Sequence, residues 1–115
     1  MNKKFYVYYL ISSNDNNVFY VGKGSGDRMY QHVKIAVRDG KKKLSNPKLY
    51  NKIVSLLNNG HQVISQIIFE SYDEKTCLNH EVEKIKEIGL NNLCNITEGG
   101  EGSHFKLFFF RLTFR

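Results

Sequence analysis

Phe5-Tyr6-Val7-Tyr8-Tyr9-Leu10-Ile11, Ser12-Ser13-Asn14-Asp15-Asn16-Asn17 and Val18-Phe19-Tyr20-Val21-Gly22 together decide the fold of this chain. The first and third stretches are rich in aromatic and β-branched residues and read as strands. The second is a turn signal of serine, asparagine and aspartate. The three therefore predict a β-hairpin. Strand alternation puts Tyr6, Tyr8 and Leu10 on one face of the first strand. It puts Val18, Tyr20 and Gly22 on one face of the second. Lys23-Gly24-Ser25-Gly26-Asp27-Arg28 and then His32 follow at once. Two phenols, a lysine, an arginine and a histidine are thus concentrated in one short stretch. Such groups can together activate water, hold a phosphate and neutralise charge on it. Packing is the plain alternative for each tyrosine, because tyrosine is favoured in strands for that reason alone.

The rest of the chain alternates helical and strand patterns. A helix is predicted from Asp27 to about Arg38, with Met29, Val33, Ala36 and Val37 as its apolar stripe. Arg28 and His32, four apart, share one face of it. Lys41-Lys42-Lys43 forms a basic loop, either a solvated run or a phosphate contact. Asn46-Pro47 opens a second helix as N-cap and first helical residue, and Asn58-Asn59-Gly60 closes it. Gln62 to Phe69 reads as a third strand with two-sided burial near its centre. A last helix runs from near Asp73 to Gly89, with Leu78, Val82, Ile85 and Ile88 as its buried face. Glu81 lies about 45° from the centre of that stripe at 100° per residue, whereas Glu83 and Glu87 face solvent. A carboxylate on an inner flank needs a partner, and a cation would supply one. Gly99-Gly100 allows positive φ and close backbone approach. The aromatic tail, residues 105–115, is strongly apolar but too short to span a bilayer. No role is read for it.

With 115 residues and a 41% hydrophobic share, the chain has room for one domain with a modest core, read over residues 1–104. Its net charge of +6 suits a polyanionic partner. Lysine outnumbers arginine, which favours phosphate attraction over reading of base edges. Nothing around Cys77 and Cys94 points to an oxidising compartment, and no secretion signal or membrane span is evident. A cytoplasmic location is expected, at the nucleoid if the source is prokaryotic or phage. The glycines around Lys23 do not make a P-loop, which needs Ser or Thr directly after the lysine. Zinc on Cys77, His80, Cys94 and His104 is disfavoured, since only Cys77 and His80 have near-motif spacing. His61 and His104 read as surface residues.

Taken in order, these elements resemble the GIY-YIG nuclease family, in a branch with a Tyr-Val-Gly-Lys-Gly second motif. Tyr6-Val7-Tyr8 stands for the first motif and Tyr20-Val21-Gly22 for the second. Arg28, His32, Glu81 and Asn95 match the later positions. Tyr6 departs from the family, which usually has glycine there, and Lys84 replaces an apolar residue after Glu81. The resemblance implies an α+β fold, a small, mainly antiparallel three-stranded sheet flanked by helices. It also implies an endonuclease that hydrolyses DNA phosphodiesters with one divalent metal, Mg²⁺ or Mn²⁺, on Glu81. Arg28 would clamp a phosphate oxygen, with Lys23 and Lys41, Lys42 and Lys43 as further DNA contacts. Tyr8 or Tyr20 would take the proton from the attacking water, Tyr8 being favoured because the first strand should be central. Lys23, His32 or the metal would depress that phenol. Asn95 would orient the phosphate or a neighbouring side chain. Specificity would come from DNA shape, a protein partner or a dimer. The competing expectation is a basic nucleic-acid-binding module without catalysis.

Overall fold

A computed structural model describes residues 3–39 and 46–99. The Lys41-Lys42-Lys43 loop and the 105–115 tail lie outside the described residues. The elements are β1 (Phe5–Ser12), β2 (Val18–Gly24), α1 (Arg28–Asp39), α2 (Pro47–Asn58), β3 (Val63–Ser71) and α3 (Glu74–Ile88). A 3₁₀ turn at Leu90–Asn92 follows α3. The strands form one antiparallel sheet in the order β2-β1-β3. The fold is α+β, and β1 is central as expected. No helix among the described residues is long and apolar enough to cross a membrane.

Strand alternation divides the core in two. Tyr6, Tyr8 and Leu10 leave one face of β1 and pack with Leu49, Tyr50 and Ile53 of α2 and Ala36 of α1. Val7 leaves the other face and packs with Val21, Leu93, and Cys77 and Ile85 of α3. The sheet therefore has α1 and α2 on one side and α3 on the other.

The alternation expected for β2 breaks at one point. The register shifts between Leu10 and Ile11, so that Leu10 pairs with Tyr20 and Ile11 with Val18. Phe19 is the extra residue of this bulge. Tyr20 and Phe19 both pack towards the α1/α2 side, whereas Val18 packs on the α3 side. The predicted common face for Val18 and Tyr20 is thus corrected. The bulge also frees the Phe19 carbonyl, which accepts from Cys94 N–H at 2.7 Å.

β3 differs from its expectation as well. It is an edge strand with no fully buried residue, and Ile64 and Ile67 are exposed. Its apolar run suggested burial on both faces; Val63 packs towards α1 and α2 and Ile68 and Phe69 towards α3, but at the sheet edge each face is only partly covered.

Capping follows the sequence closely. Asn46 Oδ1 accepts from Leu49 N–H at 3.1 Å, with Pro47 in the first turn of α2. α1 starts by another device. The Tyr6 hydroxyl donates to the Gly26 carbonyl at 2.7 Å and accepts from Met29 N–H at 3.1 Å. Tyr6 thus acts as a remote cap that ties α1 to β1, which accounts for a tyrosine where the family usually has glycine.

Gly22 lies opposite Tyr8 in the β1–β2 register. A Cβ at position 22 would stand 2.4 Å from Tyr8 Cζ and 2.5 Å from its hydroxyl. The ring lies where a side chain would be, and it is held on a buried central strand. Gly22→Ala should therefore destabilise the domain by about 1–3 kcal/mol, read as a lower urea midpoint. An unchanged midpoint would mean that the ring has room to move.

Candidate active site

The sheet and helices bring most of the predicted residues within the described part of the chain to one cleft of about 290 Å³, with two exceptions, Tyr8 and Lys23. Tyr20 of β2, Arg28 and His32 of α1, Asn46 and Tyr50 of α2, Glu81 of α3, and the 95–97 segment with Gly99 line it. Its walls thus come from both sides of the sheet.

The two motif tyrosines occupy different depths. Tyr8 is 1% exposed and does not line the cleft. Burial raises its phenol far above the ordinary value, Tyr20 adds to this, and Arg28 opposes it. Tyr20 is half-buried and reaches the cleft. Burial, then Glu81, push its phenol up to about 12, again against Arg28. The rings are 6.3 Å apart. Both phenols are therefore proton-bearing at neutral pH unless further positive charge enters the cleft.

Arg28 and His32 share a face of α1, as their spacing requires, but differ in exposure. Arg28 is exposed, and its Nη1 donates to Gln31 Oε1 at 3.1 Å. His32 is 6% exposed, with its ring edge-on to Tyr20 at 5.0 Å. Burial, then the neighbouring Arg28 charge, lower its pKa to about 4. It is a neutral imidazole at pH 7.

Glu81 sits closer to the buried stripe than predicted. The buried residues of α3 are Cys77 and Ile85, so Glu81, four from each, lies between them along one face. Leu78 and Val82 are only half-buried, and Glu83 and Glu87 are exposed. The wall facing Glu81 is the backbone of Gly99. Gly99 has φ +87°, and a Cβ there would stand 3.1 Å from the Glu81 carboxyl carbon and 2.9 Å from Ile85 Cδ1. Only glycine suits both that conformation and that approach.

Asn95 serves a structural purpose. Its Oδ1 accepts from Val21 N–H at 3.0 Å, and its Nδ2 donates to the Val21 carbonyl at 2.7 Å. The amide pairs with the edge of β2 as a strand residue would. Cys94 is held on both sides, by Phe19 as above and by Asn46 Nδ2 donating to its carbonyl at 2.9 Å.

Lys23 is the second exception. Alternation turns it to the α3 side, where it pairs with Glu74 and lies 5.2 Å from the Phe5 ring centroid. It does not line the cleft.

Five lining residues were not singled out from sequence for the site: Asn46, Tyr50, Ile96, Thr97 and Gly99. Asn46 was read only as a cap. Tyr50, three residues before Ile53, was open to assignment on the buried face of α2. Gly99 was read as open to positive φ and close backbone approach, and the structure shows both, but nothing local named Glu81 as the residue approached.

The donor set fits a single hard cation. Glu81 offers one carboxylate in a cleft that leaves room for water and phosphate oxygens, and Mg²⁺ keeps several waters in such sites. A zinc cage does not fit, because Cys77 and Cys94 belong to cores on opposite sides of the sheet. Among the described residues no three His, Cys, Asp or Glu side chains gather.

An open antiparallel sheet of three strands, with tyrosine, arginine, histidine and glutamate from both its sides in one cleft, defines a GIY-YIG nuclease-like domain. The family model of the LEM-3-like GIY-YIG domain matches residues 12–106, and the chain belongs to that family. The match begins at Ser12, so the Tyr6-Val7-Tyr8 motif lies before it. No curated protein and no solved structure matches the chain. GIY-YIG domains are nuclease domains, in general dependent on a divalent metal.

The buried neutral His32 predicts how stability depends on pH. Its ring takes a proton near pH 4 when folded and near 6.5 when unfolded. Between those values the unfolded state binds more protons. Stability is therefore complete above about pH 6.5 and is lost progressively as pH falls through about 4, by roughly 3 kcal/mol in full. Urea midpoints at pH 7 and 4.5 should differ less in His32→Gln than in the wild type. An equal drop in both would place the acid sensitivity elsewhere.

Proposed function

We propose that this chain is an endonuclease that hydrolyses DNA phosphodiester bonds with one divalent cation held by Glu81. The observation that carries this reading is the meeting of Glu81, Arg28 and Tyr20 in one cleft. A carboxylate for a cation, a guanidinium for a phosphate and a hydroxyl for a water are the parts that such a hydrolysis needs. When bound, Mg²⁺ or Mn²⁺ supplies positive charge to the scissile phosphate and the leaving oxygen. Arg28, exposed at the mouth, clamps a non-bridging phosphate oxygen. Tyr20 would accept the proton of the attacking water as a phenolate, a form that needs the charge of a bound cation in addition to that of Arg28. Tyr20 is preferred over Tyr8 because it reaches the cleft and Tyr8 does not. Tyr8 supports it from beneath.

The DNA strand has a path out of the cleft. A groove of about 450 Å³ is lined by Lys48, Asn51, Lys52 and Ser55 of α2 and by residues 91–94. The Asn46–Cys94 hydrogen bond stands between it and the cleft. Among the described residues neither Lys48 nor Lys52 is in an ion pair. Both are open to phosphates. Sequence selection on this reading comes from DNA shape, a protein partner or a second copy.

Single-turnover cleavage of plasmid, branched and single-stranded DNA with and without Mg²⁺ tests the proposal. Glu81→Gln should abolish cleavage and keep binding, because binding rests on distributed lysines. Glu83→Gln, on the exposed side of α3, should cleave like the wild type. Tyr20→Phe should slow cleavage by roughly 10²–10⁴, and Tyr8→Phe by less. Binding without cleavage in any metal would leave a non-catalytic nucleic-acid-binding module instead.

The groove makes a separate prediction. In Lys48→Ala/Lys52→Ala the slope of log affinity against log salt for duplex DNA should fall by about 2. An unchanged slope would route the strand elsewhere.

A further inference from the structure

His32 enters the cleft with an uncommitted nitrogen. Its Nε2 is buried and has no hydrogen-bond partner among the described residues. Its Nδ1 lies 3.3 Å from the Tyr50 hydroxyl. Both rings line the cleft. The neutral imidazole carries one proton, which leaves two arrangements of this pair.

If Nδ1–H donated to the Tyr50 oxygen, two groups would go unsatisfied. The Tyr50 hydroxyl proton would have no acceptor among the described residues, and Nε2 would be a bare acceptor. If the Tyr50 hydroxyl donates to Nδ1, only one group is left over, an Nε2–H. Buried polar groups favour the arrangement with fewer losses. Bond strength points the same way, since a phenol is a good donor to an imidazole nitrogen and a poor acceptor from it. Burial and Arg28 together keep the ring neutral, so this choice of tautomer is the one that operates at pH 7.

We propose that Tyr50 is a positioning residue that locks His32 in its Nε2–H tautomer. His32 then serves as a neutral hydrogen-bond donor to a phosphate oxygen of the substrate, not as a base. The inference rests on the phosphodiesterase reading above. The division of labour is consistent with it. Arg28 supplies the charge on the phosphate, and His32 supplies a directed donor at fixed depth. A neutral donor avoids the cost of burying a second cation beside Arg28. A buried donor without a protein partner among the described residues becomes satisfied when an oxygen anion reaches it.

The decisive measurement is the tautomer of His32 by long-range ¹H–¹⁵N correlation on the full-length protein at pH 7. The His32 signals are assigned by their loss in His32→Gln. The expected pattern is a protonated Nε2 and a bare Nδ1, and Tyr50→Phe should shift it towards a mixture. A protonated Nδ1 in the wild type overturns the proposal, whatever the variants do. Cleavage gives a second arm. His32→Gln keeps an N–H donor near the position of Nε2 and should stay within about tenfold of wild type. His32→Leu should lose about 10²–10³. Equal loss in the two variants would exclude a donor role even if the tautomer is as expected. A wild-type chain that cleaves no DNA would instead sink the nuclease reading and leave the Tyr50–His32 assignment to the spectrum.

Discussion

The pairing of Asn95 with Val21 is the interaction on which the rest of the site depends. β2 is an edge strand, and an edge exposes unpaired N–H and C=O groups. The side chain of Asn95 satisfies both groups of Val21, and Cys94 satisfies the Phe19 carbonyl next to it. One segment thereby closes the edge and becomes a wall of the cleft. Asn46 holds the same segment from α2. Gly99, a few residues on, is left against Glu81. Without this pairing, the carboxylate and Tyr20 would face open solvent from different sides of the sheet.

Closure of the edge sets the electrostatics as well. Tyr20, His32 and Glu81 line one cleft, and Tyr20 feels the Glu81 charge. Desolvation is the leading cause of the shift at both phenols and at the imidazole. All three are driven to their neutral forms. Arg28 is the exposed cation at the mouth, and it opposes the rise of both phenols. The motif tyrosines are thus protonated at neutral pH. The other side of the sheet is chemically separate. Lys23, with Glu74 and Phe5, helps to seal the α3 core there.

Much of this was legible in the sequence, and the reason differs by element. The hairpin, the helices and the cap at Asn46 are local events, governed by alternation, helical spacing and turn chemistry. The shared face of Arg28 and His32 and the outward direction of Glu83 needed only helical geometry. The bulge at Phe19 was not legible, because an extra residue in a strand leaves no mark on composition. The same holds for the edge position of β3, where an apolar run looks alike whether one or two neighbours pair with it. Lys23 was drawn to the site by its neighbours in the chain, but alternation and the Glu74 partner send it to the opposite side. Asn95 was matched to the site, yet its bonds to Val21 join residues 74 apart, beyond any local signal.

That separation has a temporal consequence. Contacts between distant residues form late, since the intervening chain must first be gathered. Synthesis adds a second delay, because the N-terminal segments emerge first. A growing chain can close the hairpin and wind α1, with Arg28 and His32 already in place. It holds no carboxylate opposite them until α3 has followed, and no sealed edge until Asn95 has left the ribosome. The cleft is therefore absent from every nascent chain that stops short of that asparagine. Whatever chemistry it performs begins only once synthesis has passed that asparagine and the Gly99 wall behind it.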